Sequence, residues 1–205
     1  VERQGHGFQR TILISALQLL AQSGSASADG VICLAVEEPE LFQHPIQAQA
    51  FAKVLRSLVE DPDKCIQVTY ATHSPYFLEA RHFDQVRRLT RSSGETPTVA
   101  IHFASVDDVK TRLHQIVNAD VVERQLDGIV SDQLAVALFA HRAFLVEGTT
   151  ESSVFHGIGD KMSLGALEAA GISIVPVGGK TSIPLVHAIL SALGIPVYAL
   201  FDADR

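Results

Sequence analysis

The sequence predicts an α/β fold. Short apolar runs alternate with stretches of helical periodicity, several of those runs end in acidic residues or glycines, and 47% of the 205 residues are hydrophobic. That share suits a well-filled core and excludes an intrinsically disordered chain. Apolar residues recur at helical spacing over 10–22 (RTILISALQLLAQ), and the small residues of 23–30 (SGSASADG) read as a loop. VICLAVEE, from Val31, reads as a buried strand ending in acids. A helix is expected over 46–60 (IQAQAFAKVLRSLVE), then a second buried strand over 65–72 (CIQVTYAT). Ser74-Pro75 ends that strand, and a short helical turn carries on to about residue 81.

The middle of the chain has a different pattern. QVRRLTR (85–91) and TVAIHFA (98–104) alternate as strands do, and the turn-rich SSGETP between them predicts an antiparallel hairpin. Residues 106–140 read as helices, and a domain boundary is expected within 135–141, dividing 1–138 from 139–205. A second α/β rhythm follows. AFLVEG (143–148), ISIVPVGG (172–179) and PVYALFDAD (196–204) are expected strands, separated by helices that begin near TESSVFHGIGDKM and SIPLVHAILSALG.

Composition limits the function. With 16 Lys and Arg against 23 Asp and Glu, the net charge of −7 excludes a general polyanion-binding coat, although local patches can still meet nucleic acid. No apolar run reaches the roughly 18 residues of a membrane span. Two cysteines, Cys33 and Cys65, make no disulfide framework, so a reducing, cytoplasmic setting is expected. The chain opens VERQGHGFQR, without an initiator Met or an apolar leader, and closes on DADR, so it reads as a piece of a longer protein.

Four motifs fall in order in the first 80 residues. Gly5-His6-Gly7-Phe8-Gln9-Arg10 precedes a helix, where exposed backbone N–H groups can hold phosphate; alone, it is an ordinary glycine-rich helix start. Glu37-Glu38-Pro39-Glu40 closes an apolar strand at the edge where open α/β sheets place their sites. One carboxylate there can hold a Mg²⁺ shell and its neighbour can orient or deprotonate water, or the pair is a solvated acidic loop. Gln43-His44-Pro45 follows, and Thr72-His73-Ser74-Pro75 comes directly after the second strand. A histidine at 73 can contact a γ-phosphate, although a lone histidine more often caps or packs.

In this order the four motifs resemble the C-terminal half of ATP-binding-cassette ATPases of the chromosome-maintenance and DNA-repair branch. The resemblance implies that Gly5, Gly7 and Gln9 stand at the signature motif that reaches the ATP of a partner subunit. It makes Glu37 the Walker B carboxylate on Mg²⁺, Glu38 the catalytic base, His44 and Pro45 part of the D-loop, and His73 the switch histidine. Glu rather than Asp at 37, and a signature without Ser-Gly, depart from the usual pattern. Both fit the branch containing the OLD-family nucleases, which tends to read EEPE and THSP. The phosphate-cradling GxxxxGK[ST] is missing: the one GK[ST], Gly179-Lys180-Thr181, has Ile174 where the first glycine is required. It reads as a decoy within the second domain, with the true phosphate loop expected upstream of residue 1.

The second constellation begins at Phe144-Leu145-Val146-Glu147-Gly148-Thr149-Thr150-Glu151. A strand delivers Glu147, Gly148 allows a tight turn, and Glu151 falls in the first helical turn. Downstream, alternation along a strand puts Asp202 and Asp204 on one face. Parallel neighbours then aim these carboxylates at one point, where Mg²⁺ or Mn²⁺ relieves their repulsion. The strand–EG–helix–strand–GG–helix–strand–DxD order resembles the Toprim domain of topoisomerases, primases and OLD-family nucleases. The resemblance implies Glu147 and Glu151 at the first acidic site and Asp202 and Asp204 at the metal-binding DxD, with Gly178, Gly179 and Lys180 at the cleft edge. Lys180 reads equally as a solvated surface residue.

Together the two halves resemble the OLD family, which includes Gabija-type anti-phage nucleases. The fold implied is the end of an ABC-type ATPase head joined to the front of a Toprim domain. The function implied is an ATP-regulated endonuclease. Two metal ions would bind the scissile phosphate of DNA, with Glu147 or Glu151 also available as general base. The signature motif requires two heads, hence a homodimer or higher assembly, and a helicase-like partner protein fits the same family. One alternative is an SMC-like DNA-repair ATPase whose Toprim module is regulatory. A topoisomerase is disfavoured because Tyr70, Tyr76 and Tyr198 all fall in or beside predicted strands. Arg81, Arg87, Arg88 and Arg91 read as a solvated hairpin face rather than a DNA contact.

Overall fold

The computed structural model describes residues 31–60, 65–94, 96–129 and 131–203, with Ser15, Ala16 and Leu19 ahead of them. Those three are helical; the rest of the helix expected over 10–22 lies outside the described residues. The chain divides into two compact units, residues 1–77 and 78–205.

In the first unit, β1 (Ile32–Glu37) and β2 (Ile66–Ala71) pair in parallel, in register from Ile32↔Ile66 to Glu37↔Ala71. A parallel pair needs a crossover, and α1 (Pro45–Glu60) supplies it. Pro45 sits at the first helical position, where its missing N–H costs nothing. Ala48, Phe51, Leu55 and Leu58 recur at spacings of three and four and form the buried stripe. This stripe packs on Leu34, Val68 and Tyr70 together with Phe77, whose ring meets Phe51 and Tyr70 edge-on. The Tyr70 hydroxyl donates to the Phe77 carbonyl at 2.6 Å, which closes the chain back over the sheet.

Among the described residues, β1 and β2 are covered on one face. Ile32, Leu34 and Val36 are half-buried while Cys33, Ala35 and Glu37 are exposed, and β2 alternates in the same way. The helix covers a single face, and the other face carries small or polar residues such as Ala35, Gln67 and Thr69.

The second unit begins with two 3₁₀ turns' worth of chain (Ala80–Gln85) and a hairpin. Its strands β3 (Arg88–Arg91) and β4 (Val99–His102) are antiparallel, as expected, in register from Arg88↔His102 to Arg91↔Val99. Helices α2 (Val106–Leu113), α3 (Ala119–Asp127) and α4 (Ser131–Ala137) follow. Then come β5 (Arg142–Val146), α5 (Thr149–Met162), the single turn α6 (Ala166–Ala169), β6 (Ile172–Pro176), α7 (Ile183–Ala192) and β7 (Val197–Ala199). The three strands form one parallel sheet in the order β6-β5-β7. Ala143 and Leu145 are fully buried in a core with Val186, Ile189 and Leu190 of α7, whereas Phe144 meets Phe155 of α5 edge-on at 4.7 Å. Successive β5 side chains therefore face different helices, and the sheet is covered on both sides.

The segment 78–137 shares that core. Phe83, Val109, Leu113, Val122, Leu126 and Leu134 pack in one cluster with the sheet residues and α7. The compact unit consequently starts at Leu78, ahead of the boundary read near 138. Arg88 also differs from its expected place on a solvated face. Its guanidinium donates to the carbonyls of Leu138, Ala140, Leu193 and Gly194, just past the C-terminal ends of α4 and α7. Burial lowers its pKa, and the carbonyls at two helix ends supply compensating negative potential. Arg81 is held by Glu79 at 2.9 Å, and Arg87 lies over the Phe103 ring.

Candidate functional site

The first site lies at the C-terminal edge of the β1–β2 sheet, where adjacent parallel strands leave a crevice. Glu37 is the last residue of β1 and is exposed; Glu38 follows it and is half-buried. The ladder takes one further bond, from Glu38 N–H to the Ala71 carbonyl at 2.8 Å. Glu38 then adopts φ +44°, in the left-handed region that non-glycine residues seldom occupy. Strain of this kind persists where the surroundings fix it and collects at functional positions. It turns the chain so that Glu40 returns toward the end of β2. The Glu40 carboxylate accepts from the Thr72 hydroxyl and the His73 backbone N–H, both at 2.8 Å. His44 is exposed at the start of α1, with its carbonyl accepting from Ala48 N–H. Among the described residues, Glu37, Glu38 and His73 are thus gathered at one sheet edge, with His44 at the adjoining helix start. Gly5, Gly7 and Gln9 lie outside the described residues.

Glu40 and Thr72 were given no role by the sequence reading. The usable signals were the third acid of EEPE and a hydroxyl residue directly before the histidine. Gln43 adds a further tie, donating from Nε2 to the Pro39 carbonyl at 2.9 Å.

The second site is built by the β6-β5-β7 order. The chain leaves β5 to one side for β6, then crosses back over β5 to β7, so the switch point falls between β5 and β7. β5 ends at Val146 and Glu147 follows it. The expected strand to 204 is shorter: its ladder covers Val197–Ala199 and continues only as Leu200 N–H to the Leu145 carbonyl. Strand alternation therefore does not place Asp202. β5 has run out of backbone to pair with, and the Glu147 carboxylate takes over as acceptor. It receives the Asp202 backbone N–H at 2.7 Å. The bond ties the Glu147 side chain to the Asp202 backbone across the crevice.

Glu151 lies in the first turn of α5 and reaches back to accept the Gly148 N–H at 3.0 Å, capping its own helix. Gly148 permits that approach, since a β-carbon there would come 3.1 Å from the Glu151 carboxylate. Glu151 is thereby fixed to the residue following Glu147. Lys180 is exposed after Gly178 and Gly179, in the turn between β6 and α7, at this same end of the sheet. The GKT triplet thus lies in the second unit. Asp204 lies outside the described residues.

The donor set of the second site is all oxygen, on exposed or half-buried carboxylates, and this chemistry fits a hard divalent cation. Among the described residues no three acids, histidines or cysteines converge on one point, and the one bond between members of the set is that from the Asp202 backbone N–H to the Glu147 carboxylate. Cys33 and Cys65 are free and exposed. No described helix is long and apolar enough to cross a membrane.

A parallel two-strand edge with paired acids, and a switch-point sheet with acids just past its first and third strands, suit an ATPase segment followed by a TOPRIM-type domain. Comparison with known families agrees. Residues 1–78 match the AAA ATPase domain, and residues 138–204 match the TOPRIM domain of overcoming-lysogenization-defect-like proteins. The chain is similar along nearly its whole length to Old nucleases. It is 29% identical over 208 residues to the Old nuclease of Escherichia phage P2, covering 100% of this chain and 33% of that protein. It is 29% identical over 200 residues to the OLD nuclease of Thermus scotoductus, covering 98% of this chain and 35% of that protein. The chain thus spans about a third of the length of these relatives.

Proposed function

We propose that the whole protein is an ATP-regulated, divalent-metal-dependent DNA endonuclease. The observation that carries this reading is the Glu147 carboxylate bound to the Asp202 N–H at the switch point of a TOPRIM sheet. This contact ties the Glu147 side chain to the backbone of Asp202 at the edge where a phosphodiester would lie. The Old nuclease relatives support DNA as substrate. Glu147, Asp202 and Asp204 would hold Mg²⁺ or Mn²⁺, with Glu151 beside them. Such an ion, when bound, supplies charge neutralisation at the scissile phosphate and lowers the pKa of water. Glu147 or Glu151 would accept the proton of the attacking water.

In the first unit, Glu37 would complete the Mg²⁺ shell of bound ATP, Glu38 would act as base and His73 would meet the γ-phosphate. Gly5, Gly7 and Gln9 would contact the nucleotide of a second head, which makes the working assembly a homodimer or higher oligomer. Residues 1–138 would then be the end of the ATPase half and 139–205 the front of the nuclease half. A helicase-like partner, a cytoplasmic location and a role in phage defence or DNA processing belong to the same reading.

The test is nicking of supercoiled plasmid by the full-length protein with Mg²⁺ or Mn²⁺. Glu147→Ala and Asp202→Ala should each lower cutting by about a hundredfold or more, with ATP binding kept. Unchanged cutting in both variants overturns the nuclease reading.

A further inference from the structure

We infer that Glu40 is a positioning residue that locks the His73 loop to the Glu38 turn, so that base and histidine are presented to the nucleotide as one rigid pair. This rests on the ATPase reading of the first site and goes beyond it. The paired backbones of β1 and β2 end at Glu37↔Ala71 and Glu38 N–H. Past that point nothing in the ladder would hold the two loops together, and Glu40 replaces it with a fork.

Its Oε1 takes the His73 N–H and its Oε2 takes the Thr72 hydroxyl, each at 2.8 Å. Thr72 Oγ1 in turn accepts Ser74 N–H at 3.0 Å. Three successive residues of the histidine loop are therefore tied, directly or through one hydroxyl, to one carboxylate. On its own side Glu40 is fixed by the turn that Glu38 starts at φ +44°, with Leu41 N–H on the Glu38 carbonyl and Gln43 N–H on the Glu40 carbonyl. Both oxygens of Glu40 are engaged by protein donors, one of them a backbone N–H. That separates its role from the metal and base roles of Glu37 and Glu38. A charge-assisted bond to a backbone N–H is also among the stronger hydrogen bonds available.

The test is steady-state ATP hydrolysis by the full-length protein, with thermal melts of each variant as a folding control. Glu40→Leu removes the fork and should lower kcat by about ten- to a hundredfold with KM for ATP within about threefold of wild type, as expected for misplacing a reacting group by about 1 Å. Glu40→Gln keeps an oxygen for the His73 N–H and an amide that can donate to Thr72 Oγ1, so it should recover most of the rate. In a His73→Ala background, Glu40→Leu should cost little more, because the residue it positions is gone.

Wild-type kcat in Glu40→Leu, additive losses in the double variant, or a Glu40→Gln as impaired as Glu40→Leu each overturn this inference. The last outcome would make the charge itself the requirement. Failure of the ATPase reading is distinct: the wild-type protein would then turn over no ATP, or Glu38→Gln would leave turnover unchanged, and the inference would fall with it.

Discussion

At the residue scale, the decisive contacts are made where strands stop pairing. Glu147 and Glu40 both sit just past a ladder, and both use a carboxylate to accept backbone N–H groups from the neighbouring strand's loop. The first ties the Glu147 side chain to the Asp202 backbone, and the second ties the Glu40 side chain to the His73 backbone. A second kind of residue matters by being small. Gly194 has φ +74°, and a methyl group there would overlap the ring of His102, whose Nε2 is paired with Thr90 Oγ1 at 2.9 Å. Gly194→Ala must carry both the left-handed backbone cost and the overlap, so it should destabilise the protein by about 2 kcal/mol or more. Urea unfolding would show this as a lower midpoint at unchanged slope; an unshifted midpoint would contradict the packing described here.

At the element scale, α2 shows how a few polar atoms start a helix. Ser105 caps it by accepting the Asp108 N–H, while its own N–H and hydroxyl donate to the Asp108 carboxylate at 2.8 and 2.7 Å. Those two bonds, the backbone one first, hold the Asp108 pKa below the usual carboxylate range. A pKa depressed in the folded state gives stability that is present above the unfolded value and is lost as pH falls through the folded value. Asp108→Asn should therefore lose stability near neutrality, while its melting temperature converges on that of the parent in acid. Parallel melting curves from neutral pH down to acid would refute this role. The cap was open to view in the S-x-x-D spacing of Ser105 and Asp108. The anchoring of the hairpin by Arg88 was not, because its four acceptors are carbonyls that any residue supplies.

At the scale of the whole molecule, the two candidate sites belong to separate units with separate cores. The chemistry at each should accordingly be separable by mutation. Glu38→Ala is expected to bind ATP and not hydrolyse it, and Glu147→Ala to hydrolyse ATP without cutting DNA. Nucleotide trapping and plasmid nicking on the same preparations check both. Normal ATP turnover in Glu38→Ala would refute the assigned base, and loss of turnover in Glu147→Ala would refute the separation. The proposed ATP control of cutting is tested by the nicking rate of Glu38→Ala with bound ATP against that without nucleotide, equal rates overturning it.

By itself the sequence determined the α/β class, nearly every described element and the two acidic strand ends, because periodicity and local turn chemistry are written residue by residue. VEG and EEPE each combine a strand end with an acid, and both lie where parallel strands put their C-terminal edges. Tertiary structure alone decided what those acids touch. Whether β7 would run to Asp204 depended on where β5 stopped, and that is a property of the partner strand. Which face of β1 is covered depended on where α1 packs, with Leu34 beneath its buried stripe. The fork of Glu40 on Thr72 and His73 joins residues more than 30 positions apart. No local pattern encodes such a pairing, because it exists only once the parallel crossover has brought the ends of β1 and β2 side by side.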